Sequence, residues 1–186
     1  MKLLKLINWN YLYQQKLNEW FEFVDTTLNQ LIEKGGKTKE EIFNDEEFLS
    51  IFQKTSRIYT SNVEEHKKPI LQAYLKASVN NKIPLDKKYI FLRIIDELTE
   101  TQLLILRDVY DNEKSDNYLY QKQLEAVLVD KYANGDKQYL DLLIKGLQDF
   151  HLLAYGSADV VIENVNQWNM VASKIAKEFF DYLLTE

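Results

Sequence analysis

DKQYLDLLIKGLQDFHLLAYGS, residues 136–157, holds a helix pattern followed by a strand pattern. Leu140, Leu143, Ile144 and Leu147 fall at i, i+3, i+4 and i+7, one stripe of a helix over about 136–149. Leu152 to Tyr155 then reads as a short β piece. A turn begins at Gly156-Ser157, and Val160 to Ile162 reads as a second β piece.

Working outward, Ala133-Asn134-Gly135 is a turn. Before it, a helix over about 118–132 carries Tyr120, Leu124, Val127 and Leu128 on one face. Thr99 to Gln102 is a capping box opening a helix through Tyr110. The polar run Asp111 to Asn117 is expected as an exposed loop. A closing helix runs from about Asn169 to Leu184, with Ala172, Ile175, Phe179 and Leu183 on its stripe. Three helices, a hairpin and a helix make a winged-helix-like plan.

The N-terminal half reads as helices throughout. Tyr13, Leu17, Trp20, Val24, Leu28 and Leu31 form the stripe of a long amphipathic helix over about 8–34. Gly35-Gly36 ends it, since glycine accepts the left-handed cap conformation. Thr38 to Glu41 and Ser61 to Glu64 are capping boxes, and Asp45 caps a helix with Phe48, Ile51 and Phe52 on its apolar face. Pro69 kinks or starts a helix, because it lacks the donor N–H. Ile70, Ala73, Tyr74 and Ala77 carry helical spacing to Val79. Residues 80–85 are the clearest break. Asp86 is the expected N-cap of a helix with Phe91, Ile94, Ile95 and Leu98 on one face. Tyr89, Ile90 and Leu92 leave it little polar surface, so it is expected to be buried. The fold class is therefore mainly α: a helical N-terminal layer, 1–82, packed on a winged-helix-like unit with one small β-hairpin, 83–186, sharing one core.

Composition narrows the chemistry. The chain has 186 residues, 46% hydrophobic and 28% charged, enough apolar surface for a folded core. Five glycines and two prolines favour long helices over a turn-rich β-sandwich. With no cysteine, disulfides, thiolate metal sites and thiol catalysis are excluded. No run approaches the roughly 18 to 20 apolar residues of a membrane span. The first residues lack a signal-peptide pattern, so a cytoplasmic protein is expected.

No catalytic constellation is visible. His66 and His151 stand apart, with no HExxH spacing, and each is read as structural. Carboxylate pairs such as Glu46/Glu47, Asp96/Glu97 and Asp108/Asp111 lack the Glu-x-x-His partner of a di-metal bundle. Phosphate loops, dinucleotide fingerprints and nucleophile elbows are missing from the sequence. The expectation is a non-enzymatic protein with no metal and no cofactor.

Two partner classes remain. A winged helix suggests DNA, with 136–149 as recognition helix and Lys137 and Lys145 as contacts. Asp136, Asp141 and Asp149 oppose them. Residues 1–98 carry 15 basic and 14 acidic side chains, a net of +1, whereas 99–186 carry 8 and 15, a net of −7. Such a balance gives phosphate binding the wrong sign, so nucleic acid is the alternative and a protein partner the first choice. Trp9, Tyr11, Tyr13, Trp20, Phe21 and Phe23 crowd one helix and cannot share one side. Trp9, Tyr13, Trp20 and Phe23 are accordingly the candidate partner-binding residues, for self-association or another protein, because aromatics are favoured at interfaces.

Four segments resemble uncharacterised bacterial proteins of the abortive-infection alpha type: KKPILQAYLKASVNN (67–81), FLRIIDELTETQLLILRDV (91–109), YLDLLIKGLQDFHLL (139–153) and ASKIAKEFFDYLL (172–184). They share a helix, Leu-Thr, helix unit and a Gly-Leu helix end before a hairpin. The third feature is a Thr-x-x-Gly-x-x-Phe helix start, present here as Ser173-x-x-Ala176-x-x-Phe179 with Ser and Ala replacing Thr and Gly. The resemblance implies a bacterial or phage origin and a role in phage defence. It carries no catalytic residue onto this chain and does not reach residues 1–66. For the self-associating form of the reading, light scattering should give a mass that rises with concentration. A constant monomer mass removes that form.

Overall fold

The computed structural model describes residues 9–33, 38–61, 67–80, 83–115, 119, 121–156 and 169–184. Among these the order is α1 (Trp9–Glu33), α2 (Lys39–Phe43), α3 (Glu46–Ser61), α4 (Lys67–Asn80), α5 (Leu85–Glu97), α6 (Glu100–Lys114), α7 (Gln121–Ala133), α8 (Lys137–Asp149), β1 (Leu153–Gly156), β2 (Asn169–Ala172) and α9 (Lys174–Leu183). The protein is mainly α with one small antiparallel hairpin. No helix among the described residues is long and apolar enough to cross a membrane. The chain divides into two compact units, Met1–Asp96 with Tyr182–Glu186, and Glu97–Asp181. The break at 82/83 thus falls inside the first unit, which takes in most of α5.

In unit 1, α1 lays Trp20, Val24, Leu28 and Leu31 against α3 and α4. The Trp20 indole N–H donates to Ser56 Oγ at 2.8 Å, and its ring lies 4.7 Å from Tyr59. The α3 helix starts where expected, Asp45 accepting from Phe48 N at 3.1 Å. It buries Phe48, Ile51, Thr55, Ile58 and Tyr59, while Phe52 is half-buried. Its inward hydroxyls have their donors satisfied, because Thr55 donates to Ile51 O and Ser56 to Phe52 O. Ser61 is the last residue of α3, donating back to Arg57 O, and its expected box partner Glu64 lies outside the described residues.

Pro69 sits in the first turn of α4, where its missing N–H costs nothing. On α4 the expected Tyr74 and Ala77 are buried, together with Leu71, Leu75 and Ser78, whereas Ile70 and Ala73 are buried only in part. The α5 helix begins one residue before Asp86. The Pro84 carbonyl takes the first helical bonds, from Lys87 N and Lys88 N, so Asp86 lies in the first turn rather than at the cap. Nor is α5 buried all round, since Ile90 is 48% exposed.

Lys88 is the unexpected core residue. It is 4% exposed, and its ammonium donates to Glu47 Oε1 at 2.5 Å and to Ser78 O at 3.3 Å. Tyr74 donates its hydroxyl to Lys88 O at 2.7 Å. One cation therefore ties α3, α4 and α5. A second buried lysine, Lys67, donates to Asp96 O at 3.2 Å, satisfying a carbonyl in the last turn of α5.

Unit 2 has the expected order: α6, α7, α8, β1, β2 and the body of α9. Both bonds of the Thr99–Gln102 capping box form. Gln102 also donates to Leu143 O at 3.2 Å. A Cβ on Gly146 would collide with that amide, so the glycine lets α6 approach α8. Asn134 (φ 49°) and Gly135 (φ 85°) make the left-handed turn into α8, and Asp136 caps it by accepting from Tyr139 N. Leu140, Leu143, Ile144 and Leu147 are buried as the spacing predicts. On α7, Leu124 and Leu128 are buried, but Val127 is exposed and Tyr120 lies outside the described residues.

Three expectations fail in unit 2. First, α6 does not stop at Tyr110 but runs to Lys114. Arg107 pairs with Asp111 at 2.7 Å, and Glu113 accepts from Ala172 N and pairs with Lys177 at 2.5 Å. Polar residues thus extend the helix by tertiary ties. Second, the partner of β1 is β2, with Leu153 opposite Ala172 and Tyr155 opposite Met170. Residues 160–162 lie outside the described residues. Third, α9 therefore starts at Lys174, not Asn169. Ser173 precedes it, donating its N–H to Leu152 O and accepting from Ala176 N. Ala176, Phe179 and Phe180 are its buried face.

The Lys88–Glu47 pair yields an asymmetric expectation. Glu47→Ala strands a buried cation and should cost about 3 kcal/mol, the low end for a broken buried pair because the glutamate head is partly wet. Lys88→Met removes the charge itself and should cost less. Urea midpoints of the two variants check the order. Asp181 gives a pH expectation. Its carboxyl is held below its ordinary value by the Tyr110 hydroxyl donating at 2.5 Å, helped by Lys114 against partial desolvation. A depressed carboxyl stabilises above the unfolded pKa of about 4 and loses that contribution as pH falls through the folded value. The stability gap between the native chain and Asp181→Asn should therefore close as pH falls below about 4, as read by urea titrations.

Candidate interaction surface

The N-terminal helix sorts its aromatics by side. Trp20 is 0% exposed and hydrogen-bonded, so it belongs to the core and not to a partner face, correcting its place among the candidates. Its neighbour Phe21 points outward at 45% exposure, and Tyr13 is 50% exposed. Phe23 is half-buried, its ring 5.7 Å from Trp20. The Trp9 side chain lies outside the described residues. Adjacent residues on a helix are about 100° apart, so Trp20 and Phe21 must diverge. Sequence reasoning missed Phe21 as a surface residue because period alone does not say which of two adjacent aromatics wins the core.

Phe21 and Tyr13 flank a groove of about 750 Å³ against α3, lined further by Phe52, Lys54, Arg57 and Thr60. The Phe21 and Phe52 rings lie 6.1 Å apart and form its apolar floor. On the other side of α3 a second groove of about 650 Å³ runs toward α5. Ile58, Leu92 and Tyr89 give it apolar surface, and Arg93 and Asp96 add charge. Lys54, Arg57 and Ser61 line both grooves and form the ridge between them. The Lys54 ammonium stands over the Tyr89 ring, 3.5 Å from its centroid, a cation–π contact that holds the side chain along the ridge. Tyr89 is itself placed by a 2.7 Å hydrogen bond with Ser50. Lys54 and Arg57 are exposed, and among the described residues neither sits in an ion pair.

The alternative face lies on α8. Lys137 and Lys145 are both exposed, as DNA contact would need. Lys137 reaches to 3.7 Å from Glu125, in a groove of about 420 Å³ that Glu125 and Asp130 line. Between the two lysines Leu142 is 68% exposed, beside the exposed Tyr139. His151 takes the left-handed position after α8, φ 56°, with its N–H on Gln148 O and Leu152 N on Leu147 O. That geometry is a helix C-cap. His66 lies outside the described residues. No group of three or more His, Asp or Glu side chains able to hold a metal ion gathers among the described residues.

No family model, curated protein or solved structure matches the chain.

Trp20 and Phe21 should separate core from surface in one experiment. Trp20→Ala should cost about 3 to 5 kcal/mol, the range for a buried large aromatic. Phe21→Ser should stay within roughly 1 kcal/mol. Thermal melts of the two variants check this.

Proposed function

We propose that the protein is an interaction module that docks a protein partner on the face α3 presents between α1 and α5. The observation that carries this reading is the pair of aromatic-floored grooves meeting along one exposed ridge. Aromatic and arginine side chains at a groove are what protein interfaces use as anchors, the aromatics because they bury much area at little entropic cost and arginine because its planar fork directs several hydrogen bonds. The resemblance of residues 67–184 to abortive-infection alpha proteins extends the proposal to phage defence in a bacterial or phage-encoded setting. A photo-crosslinking residue at position 21, installed in the native cell, should give a discrete adduct. The same residue at Asn29, exposed on α1 but not lining the groove, should not. Equal labelling from both positions, or none from position 21, overturns the proposal.

A second reading, DNA binding by a winged helix, is favoured by the element order of unit 2 and the tight Asn134-Gly135 turn. The acidic lining beside Lys137 and the exposed Leu142 weigh against it, since phosphate contact depends on uncompensated cations. On the DNA reading, random duplex at low salt should shift in a gel, and Lys137→Glu with Lys145→Glu should abolish the shift. On the protein-partner reading no salt-sensitive shift occurs.

A further inference from the structure

Charge is distributed across the α3 face in a way that specifies the partner. The chain as a whole carries 29 acidic and 23 basic side chains. Among the described residues, the charged side chains lining the two grooves are Lys54, Arg57 and Arg93 against Asp96. Among the described residues, the Phe21 groove is lined by Lys54 and Arg57 and by no carboxylate. A basic ridge with apolar floors on both sides therefore interrupts an acidic protein.

Shape narrows the class further. Each groove is as large as a small-molecule pocket, in the range of about 300 to 1,000 Å³. They are joined side by side along α3 rather than closed over one ligand, which suits an extended occupant with two apolar anchors. We infer that the partner is an acidic amphipathic peptide segment that lies across α3, its carboxylates on Lys54 and Arg57 and its apolar side chains in the flanking grooves. This rests on the docking reading above and adds the chemistry of the occupant. Helix-in-groove recognition works this way: apolar residues at i, i+3, i+4 and i+7 fill the groove, and charges at the rim set orientation and specificity. Phe21 and Phe52 supply the floor on one side, Tyr89 and Leu92 on the other.

The test uses a fluorescein-labelled synthetic peptide of about 15 residues, with Leu and Phe at helical anchor spacing and Glu elsewhere. Its comparator has every Glu replaced by Gln. Anisotropy titrations of the full chain at about 50 mM salt should show the acidic peptide binding about tenfold more tightly. The preference should shrink at about 300 mM salt, where screening shortens the reach of exposed charges. Lys54→Glu with Arg57→Glu, two exposed positions whose folding is checked by circular dichroism, should remove the preference. Phe21→Ala should weaken both peptides. Equal affinity for the two peptides, a preference that survives the charge reversal, or no binding of either peptide overturns the acidic partner. Equal affinity lost in Phe21→Ala overturns it while sparing the docking face, whose own failure is read by crosslinking at position 21.

Discussion

A cation with almost no access to water organises the first unit. Lys88 is buried among three helices, and a bare ammonium there would be too costly to keep. Its proton donors are met by Glu47 from α3 and Ser78 O from α4, and its own carbonyl receives the Tyr74 hydroxyl. These partners come from α3 and α4, so the full set of contacts forms only when α3, α4 and α5 are in register. The grooves on α3 inherit that register. Tyr89 follows Lys88 directly, and its place under Lys54 is set by the same turn of α5.

The second unit uses short-range devices instead. Capping boxes, an Asp N-cap and a left-handed turn fix helix ends before any long-range contact forms. Its long-range ties include charged ones, Glu113 to β2 and α9, Asp181 to Tyr110 and Lys131 to Asp108, beside the neutral Gln102 to Leu143 O and the β1–β2 pairing. The exposed pairs contribute little each. Glu113 is better placed, since it satisfies a strand N–H and a lysine together.

The proposed docking face follows from which side of each helix remains uncovered. Trp20 and Phe21 are adjacent aromatics in the chain, yet one is fully buried and the other lines a groove. Lys54 and Arg57 are unremarkable in the sequence because α3 is amphipathic and wet faces carry charge. Their significance comes from the apolar surface on both sides, which α1 and α5 bring from far along the chain.

Local chemistry determined what local chemistry can. The helix stripes of α5 and α8, the α1 stripe from Trp20 to Leu31, the Thr38 and Thr99 boxes and the Asn134-Gly135 turn were legible, because each depends on residues within a few helical turns. The mainly helical class with one hairpin followed from the same signals. What depended on distant partners was not legible. Residues 111–114 look like loop and form helix because Glu113 finds Ala172 and Lys177. Asn169–Ala172 look like a helix start and form a strand because β1 offers them a register. Lys88 looks like a surface residue and is core, and Trp20 looks like an anchor for a partner and is core as well. Periodicity identifies an apolar side, but only tertiary packing decides which residues on it lose water.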